Sequence, residues 1–376
     1  MKYKFEDIIF NITEKKKPVE EDKYNYIGLE HLESGNLFIS KWGSDTAPEG
    51  EKIVMKKGDI LFGKRRAYQK KVAISPIDGI FSAHGMVLRP KEDVICKEFL
   101  PFFISSETFL NEAIRISVGG LSPTVNWKDI KELEFDLPSL AEQKVLAEIL
   151  WAAYEVKQSY LKMIAATEEM VKSQFIEMFG DISINSKAWP VEKLANVADI
   201  KIGPFGSLIH QRDYQEGGHC LINPSQIINN KIVPDSKVAV TEYKYQELLS
   251  YSVSIGDIIL GRRGEMGRAG IIEEEGMLCG TGSMVIRPKD NGDSLFLHLF
   301  ITSPHSKEWL ENNSVGTTMM NLNTQIVGNM EIPILPANLK QQFVAIANQA
   351  DKSISELRKS IDAIDKVIKS LINENL

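Results

Sequence analysis

The chain has 376 residues, of which 43% are hydrophobic and 25% charged, with three cysteines and a net charge of −7. These values exclude a disordered chain, a collagen-like repeat and a small disulfide scaffold, and the length favours two or three domains. The three cysteines are far apart in sequence and no apolar run is long enough to span a bilayer, so we expect a cytoplasmic protein without disulfides or structural zinc.

Residues 1–138 are predicted to form the first globular domain. Short β-rich runs alternate there with glycine, proline, asparagine and aspartate, as in a mixed α/β domain with many loops. One such run, Gly-Asp-Ile-Leu-Phe-Gly, leads into a basic cluster. Its members are Lys64, Arg65, Arg66, Tyr68, Lys70 and Lys71.

Residues 139–180 are predicted to be a single long helix, because they contain no proline and no glycine before Gly180, where the helix should stop. At 1.5 Å per residue this helix is roughly 60 Å long. Apolar residues spaced by three and four predict one buried stripe. The predicted stripe comprises Leu146, Ile149, Ala153, Val156, Tyr160, Met163, Met170 and Met178.

Residues 181–337 are predicted to form a second globular domain that repeats the first. Residues 58–74 and 256–272 are identical at six of 17 positions, and Met-Val-Leu-Arg-Pro-Lys from Met86 faces Met-Val-Ile-Arg-Pro-Lys from Met284 at the same offset of 198. Val-Gly-Gly from Val118 likewise faces Val-Gly-Thr from Val315. The order of these landmarks indicates a tandem duplication.

Residues 338–376 are predicted to be a second long helix. Its apolar residues alternate by three and four without interruption, which is the pattern of a coiled coil. They are Ala347, Ala350, Ile354, Leu357, Ile361, Ile364, Ile368 and Leu371. We expect the two long stripes to cover each other; the alternative is that each helix packs only on its own globular domain.

No segment of the chain is globally basic, but basic residues recur at duplicated positions. Arg262, Arg263 and Arg268 follow the second Gly-Asp-Ile run just as the first cluster follows its own. Two basic loops at equivalent positions favour two surfaces that contact phosphates. A basic cluster is also common on an ordinary solvated face, and the recurrence is what favours the functional interpretation.

Residues 203–212 are a second candidate contact segment, and the stretch from Gly203 to Ser207 has no counterpart in the first half. The candidate residues are Gly203, Phe205, Gly206, Ser207, His210 and Arg212. Glycines on either side of a Pro-Phe pair permit close approach of the backbone to a ligand. The alternative is a structural turn with Phe205 in the core.

One enzyme hypothesis has a formal match. Asp235, Glu242 and Lys244 satisfy the loose pattern of metal-dependent nucleases, which hold Mg²⁺ with acidic ligands beside a lysine. However, the residues from Glu242 onwards are predicted to open a helix capped by Thr241, and the first domain lacks the pattern. No phosphate-binding loop of the ATPase type is present, and no metal-ligating cluster is predicted.

Several motifs together resemble the specificity (S) subunit of type I restriction–modification systems, over essentially the whole chain. They are YIGLEHLESG from Tyr26, the run from Gly58, the run from Ile200 to Ile227, and the helix opening LPSLAEQ from Leu137. The second opening, LPANLKQQ from Leu335, departs from the family by placing Lys340 where an acid is usual.

The resemblance implies an α+β protein in which two target-recognition domains, 1–138 and 181–337, alternate with two helices that form an antiparallel coiled coil with pseudo-twofold symmetry. It implies that each domain reads one half of a bipartite DNA target and that the helices set the spacing and dock two methyltransferase subunits. Restriction subunits would complete the complex. S-adenosylmethionine, ATP and Mg²⁺ would act in those partners, and this chain would have no catalytic site.

Overall fold

The computed structural model of the chain describes residues 1–182, 184–315 and 321–376. Gly316 and Thr317, which belong to the second Val-Gly-Thr landmark, lie outside the described residues. The chain divides into two compact units. The first comprises Met1–Ile164 and Ser355–Leu376, and the second comprises Ala165–Ile354.

The globular portion of the first unit is built on two four-stranded sheets. One sheet is entirely antiparallel, and its strands lie in the order Ile9–Ile12, Met86–Pro90, Ile60–Phe62 and Val72–Ile74. The other has the order Lys15–Lys16, Lys52–Met55, Gly79–Phe81 and Tyr26–Ile27. A short ladder joins Lys2–Lys4 to Glu134–Asp136. The α-helices are Phe5–Ile8, Leu100–Ser105, Glu107–Arg115 and Trp127–Ile130.

The globular portion of the second unit repeats the antiparallel sheet strand for strand. Its order is Ala198–Ile202, Ser283–Pro288, Ile258–Gly261 and Ala269–Ile271. A three-stranded sheet has the order Ala239–Val240, Tyr214–Ile222 and Leu278–Cys279. Two short ladders pair Ile227–Ile228 with Lys231–Ile232 and Val191–Lys193 with Glu331–Pro333. The α-helices are Leu194–Val197, Glu242–Glu247, Ser294–Ile301, Pro304–Asn313 and Thr324–Gly328.

The predicted fold class and the predicted duplication are therefore confirmed, since both globular portions mix helices with the same antiparallel sheet. The two Gly-Asp-Ile runs also share a backbone geometry that requires glycine. Gly58 and Gly256 both have a φ of 90°, where a side chain would be strained. The chain makes the same turn at both positions before it enters the central strand of the sheet.

The first long helix spans Leu140–Phe179 and the second spans Ala337–Asn373. A capping box starts the first helix: the Ser139 amide and hydroxyl donate to Glu142 Oε2 at 2.8 and 2.7 Å. It ends where the sequence predicts, at Gly180, which has a φ of 75°. In the described part of the chain, no helix has the length and apolar character needed to cross a membrane.

The stripe predicted for the first helix is wrong at four of its eight positions. Ile149, Val156, Met163 and Met170 are exposed, each by between 43% and 52%. A row shifted around the helix is buried instead, consisting of Gln143, Leu146, Ala147, Leu150, Tyr154, Ile164, Phe175 and Phe179. A strict spacing of three and four drifts away from the true period of 3.6, and it passed over two large aromatic residues that pack best.

The stripe predicted for the second helix is confirmed, because each of its eight residues is buried or half-buried. Within the first unit, Lys157 of the first helix pairs with Asp365 of the second at 2.7 Å. Within the second unit, Phe175 of the first helix packs against Phe343 of the second, with ring centroids 5.2 Å apart. Both helices therefore contribute to the core of each unit.

The start of each helix is tied to its globular portion by a polar side chain. Gln143 is fully buried; its Oε1 accepts from the Cys96 amide at 2.8 Å, and its Nε2 donates to the carbonyl of Val94 at 3.0 Å. Lys340 instead forms an ion pair with Asp293, directly before the helix Ser294–Ile301. The departure of Lys340 from the family pattern thus has a partner inside the second unit.

Candidate nucleic-acid interface

The first basic turn, defined here as Lys64, Arg65 and Arg66, directly follows the strand Ile60–Phe62. Arg65 and Arg66 are exposed and Lys64 is half-buried. Arg66 has a left-handed backbone with a φ of 57°, and its amide donates to the carbonyl of Pro123 at 2.7 Å. This conformation turns the chain sharply, so that consecutive cations are displayed at the end of the sheet.

Two further candidates lie just beyond this turn. Tyr68 belongs to a short 3₁₀ helix, Ala67–Gln69, and its ring is half exposed. Lys70 ends this helix with a second left-handed backbone, at a φ of 50°, and is half-buried. These residues form one segment, but the sequence gave no indication that two non-glycine residues in it, Arg66 and Lys70, have left-handed backbones.

The second basic turn, defined here as Arg262 and Arg263, follows the equivalent strand Ile258–Gly261. Arg263 is exposed, whereas Arg262 is half-buried and its Nε donates to Asn321 Oδ1 at 3.0 Å. Arg268 is committed within the unit: it donates to the carbonyl of Pro224 at 3.0 Å and to Glu265 Oε2 at 2.8 Å. The three predicted arginines of this segment are thus held in different ways.

Both basic turns are held by the same backbone contacts. The carbonyl of Lys64 accepts from the Val125 amide at 3.0 Å, and the carbonyl of Arg262 accepts from the Leu322 amide at 3.0 Å. Arg65 forms an isolated β-bridge with Thr124, and Arg263 forms one with Asn321. The duplication therefore extends beyond the sheet to the support of the cations.

Positive groups lie close together at the first basic turn. Burial lowers the pKa of Lys64, and the charge of Lys15 lowers it further. Burial also lowers the pKa of His84, with Arg65, Lys64 and Lys52 adding repulsion. His84 Nε2 lies 3.4 Å from a guanidinium nitrogen of Arg65. Burial is the larger cause for both groups and the neighbouring positive charges add to it, so a bound anion would favour their charged forms.

His84 belongs to this surface but was missed by the sequence prediction. The signal available was weak, because the second half has Gly282 at the same offset and the repeat therefore does not mark the position. In the second turn, burial and the charge of Arg263 likewise lower the pKa of Arg262. Positive groups therefore lie close together at both turns. His84 lies beside the first turn, and Gly282 takes its place at the second.

An arginine–aspartate ion pair at the start of the strand that leads into each basic turn explains two of the repeated motifs. Arg89 donates to both carboxylate oxygens of Asp59 at 2.7 and 2.8 Å, and Arg287 does so to Asp257 at 2.8 and 2.6 Å. Both aspartates are buried. The pair joins the Gly-Asp-Ile run to the Arg-Pro-Lys run across neighbouring strands, so the recurrence of both motifs was the signal for it.

The loop at residues 203–212 contains both structural and exposed candidates. Gly203 is buried, and a Cβ there would lie 2.2 Å from the carbonyl oxygen of Gly280, so this glycine is required by packing. Phe205 is 71% exposed, which is contrary to the alternative that placed it in the core. The remaining candidates are all exposed, namely Gly206, Ser207, His210 and Arg212.

The residues of the nuclease alternative are engaged in other contacts. The helix Glu242–Glu247 is capped by Thr241, whose side chain accepts from the Lys244 amide, as predicted. Glu242 bonds to His219 at 2.6 Å and Lys244 to Glu247 at 2.9 Å. Among residues 1–182, 184–315 and 321–376, no group of three or more histidine, cysteine or acidic side chains is arranged to hold a metal ion. The nuclease alternative therefore has no structural support.

Comparison with known proteins gives a consistent assignment. The family model for the type I restriction modification DNA specificity domain matches residues 2–160 and 186–365. The specificity subunit of the type I restriction enzyme MjaVIII from Methanocaldococcus jannaschii is 24% identical over 98% of this chain and 89% of its own length. The MjaIX specificity subunit from the same organism is 23% identical over 53% of this chain and 46% of its own.

Solved structures agree at the level of the fold. The crystal structure of a type I restriction–modification S subunit from M. genitalium has a TM-score of 0.58 at 14% identity, covering 99% of this chain and 94% of that one. A chain from a structure of the type I restriction–modification system that addresses complex assembly and conformational transition has a TM-score of 0.52 at 16% identity, with 100% and 97% covered.

Proposed function

The chain belongs to the type I restriction–modification DNA specificity family, whose members are non-catalytic recognition subunits, and we propose that its two globular portions read the two halves of a bipartite DNA target. In this proposal the first basic turn and the second basic turn grip the phosphates of one half-site each. Side chains beside them, including Tyr68 and residues 205–212, contact bases or sugars.

One observation carries the proposal: both units support a basic turn on the same scaffold. The buried ion pair, the strand and the backbone bond to Val125 or Leu322 recur, and each time they support a pair of crowded cations. An exposed solvated face needs no such support. Two supported cationic turns per chain suit a duplex read at two places, with positions fixed by phosphate contacts.

We further propose that the first long helix docks the methyltransferase subunits. Its exposed residues Val145, Ile149, Val156 and Met163 give the first-unit part of this helix an apolar face at water. An apolar stripe on a helix is a common docking surface for a partner. Restriction subunits are expected to join through those partners, and S-adenosylmethionine, ATP and Mg²⁺ are expected to act there.

The test of half-site reading is a map of methylated bases made with the assembled methyltransferase. We expect Tyr68→Ala to relax recognition of one half-site only and Phe205→Ala to do so for the other, whereas Arg65→Ala and Arg263→Ala should weaken binding to the whole target. Each phosphate contact that is lost should also reduce the slope of log affinity against log salt by about one. The matched controls are Lys2→Ala and Lys193→Ala, which remove exposed cations from equivalent strands far from the turns in sequence.

Two results would contradict the proposal. One is unchanged affinity and unchanged salt slope in both arginine variants. The other is loss of the same half-site in the Tyr68 and the Phe205 variants, which would mean that the two portions do not divide the target. Cleavage of DNA by the chain alone with Mg²⁺, abolished by Asp235→Ala, would instead revive the nuclease alternative.

We also propose that the paired long helices set the spacer between the half-sites. Within the first unit Lys157 pairs with Asp365, and within the second unit Phe175 packs on Phe343, so earlier residues of one helix meet later residues of the other. This order supports an antiparallel pair. Such a pair would separate the two portions by a fixed length.

The spacer proposal is tested by lengthening both helices together. Inserting four residues after Ile164 and four after Ile354, where the chain passes between the units, adds about 6 Å to each helix. Since duplex DNA rises about 3.4 Å per base pair, the methylated sites should keep both half-sites with a spacer one or two base pairs longer. Insertion in the first helix alone is the control and should impair pairing. The original spacer at full efficiency in the doubly lengthened chain would refute the idea.

A further inference from the structure

The loop at residues 118–124 carries a leucine that packs on almost nothing. The side chain of Leu121 is 97% exposed, the highest value for a large hydrophobic residue in the described part of the chain. Isolated apolar residues are ordinary on protein surfaces, and exposure alone is no argument for function. What distinguishes Leu121 is where it is held.

The loop is fixed firmly against the first basic turn. Val118 and Thr124 exchange two backbone hydrogen bonds of 3.0 and 2.9 Å, which close the loop at its base. Arg66 then holds the side of the loop at two points, since its amide donates to the carbonyl of Pro123 at 2.7 Å and its Nε donates to Ser122 Oγ at 3.2 Å. Leu121 is the residue next to Ser122.

This arrangement places an apolar side chain beside the cations proposed to grip phosphates. A duplex whose backbone contacts Arg65 and Arg66 would lie against the loop that holds Leu121, because Leu121 adjoins the Ser122 to which Arg66 donates. Leucine is one of the side chains that DNA-binding proteins insert between base pairs, where the cost of unstacking is offset by the bent duplex and the additional contacts that it permits. A loop anchored at both ends loses little conformational entropy on insertion.

We propose that Leu121 is a wedge that inserts between two base pairs of one half-site and unstacks that step. The inference rests on the proposed function, because it requires the first basic turn to face DNA. In the second half, the residue aligned with Leu121 between Val315 and Asn321 is Thr318, and the apolar Met319 and Met320 follow it. These three residues lie outside the described residues, and the proposal is confined to Leu121.

The test uses the assembled methyltransferase and a duplex that contains its mapped target, with 2-aminopurine placed in turn at the purines of the half-site assigned to the first portion. Fluorescence should rise at one step that is distinct from the methylated adenine. Leu121→Ser should abolish this rise and lower affinity about tenfold, which corresponds to about 1.4 kcal/mol of binding free energy. Leu121→Met should restore both. Phe10→Ser, which alters a half-exposed phenylalanine of the same unit, is the control and should change neither.

The outcomes separate this proposal from the proposed function. Specific binding with no fluorescence rise beyond the methylated adenine would overturn the wedge and leave half-site reading intact. If the wild-type complex showed no sequence-specific binding, the proposed function itself would be contradicted. If Leu121→Ser instead weakened assembly with the methyltransferase in the absence of DNA, Leu121 would contact protein, and the wedge would again be overturned.

Discussion

The first basic turn and the second basic turn share a support and differ in what they present. In the first, Tyr68 is half exposed and His84 stands beside Arg65. In the second, the residues at the same offset are Met266, which is buried, and Gly282, which has a φ of 84°. The aromatic ring and the imidazole of the first portion are thus absent from the equivalent positions of the second.

The second portion presents other groups instead. Phe205 and Arg212 are exposed in the segment between Ile202 and Tyr214, whose Gly-Pro-Phe-Gly-Ser stretch has no counterpart in the sequence of the first half, while Arg268 donates hydrogen bonds to Glu265 and to the carbonyl of Pro224. The duplicated parts are therefore those that hold the strands and the turn, and the parts that have diverged are the side chains at the surface. A protein that reads two different half-sites requires this division of roles, because support is common to both sites and base contacts are particular to each.

The largest expected effect on stability comes from removing the aspartate–arginine ion pair that both units have. Asp59→Ala and Asp257→Ala should each destabilise their own unit by about 3 kcal/mol, the lower end for a broken buried pair, because each arginine is itself partly exposed. Each change also removes the acceptor of a backbone amide, from Lys56 or Ser254 at 2.8 Å. Hydrogen exchange read by mass spectrometry localises the loss to one unit.

The asparagine variants serve as controls for this prediction, since they keep the size of the side chain and an acceptor oxygen. Asp59→Asn and Asp257→Asn should cost less than the alanine changes. The two ion pairs are equivalent in the comparison, so the two alanine variants should show similar losses. A large loss of stability in one unit with none in the other would mean that the two ion pairs do not contribute equally to the stability of their units.

A smaller effect is expected in the loop at residues 203–212. Gly203→Ala forces a Cβ against the carbonyl of Gly280 and should lower the stability of the second unit by about 1–2 kcal/mol. Phe205→Ala should leave stability unchanged, because the ring is exposed, and should alter only the half-site read by the second portion. Tyr243→Ala, also at an exposed aromatic residue of that unit, is the control. Thermal unfolding and methylation mapping measure the two effects; a change in the other half-site would reassign the loop.

Much of the framework was predictable from sequence because duplication and helix punctuation leave strong signals. The repeat of two motifs at one offset predicted two similar portions, Gly180 predicted the end of the first helix, and the regular spacing from Ala347 to Leu371 predicted the buried face of the second. The second helix packs along one narrow face, so a heptad pattern describes it well.

The buried face of the first helix was not predictable in the same way. This helix packs through large aromatic residues, and Tyr154 also bonds to the backbone amide of Leu37 at 2.7 Å, so globular portions and not a regular seam select its buried face. Apolar residues such as Ile149 and Met163 fitted the assumed spacing and are exposed. Similarly, the crowding of Lys15, Lys64 and His84 depends on strand pairing between distant segments, which spacing in sequence does not encode.

The smallest expected effect is the pH dependence of stability that His219 gives to the second unit. His219 faces two acceptors, the carbonyl of Gly276 at 2.9 Å and Glu242 Oε2 at 2.6 Å, and its ring stacks on Tyr245. The Gly276 carbonyl first and Glu242 second raise the pKa of His219 above its ordinary 6.5. Because the folded chain then binds this proton more tightly than the unfolded chain does, the resulting stabilisation is fully present below pH 6.5 and is lost as pH rises through the folded pKa.

Urea unfolding of the wild type and of His219→Gln, from about pH 5 to about pH 9, should show a stability difference that shrinks with rising pH, localised to the second unit. Glu242→Gln should reduce that pH dependence without abolishing it, since the Gly276 carbonyl remains. A difference that stays constant over the range would mean that the imidazole is not a charged clamp between the strand Tyr214–Ile222 and the helix Glu242–Glu247.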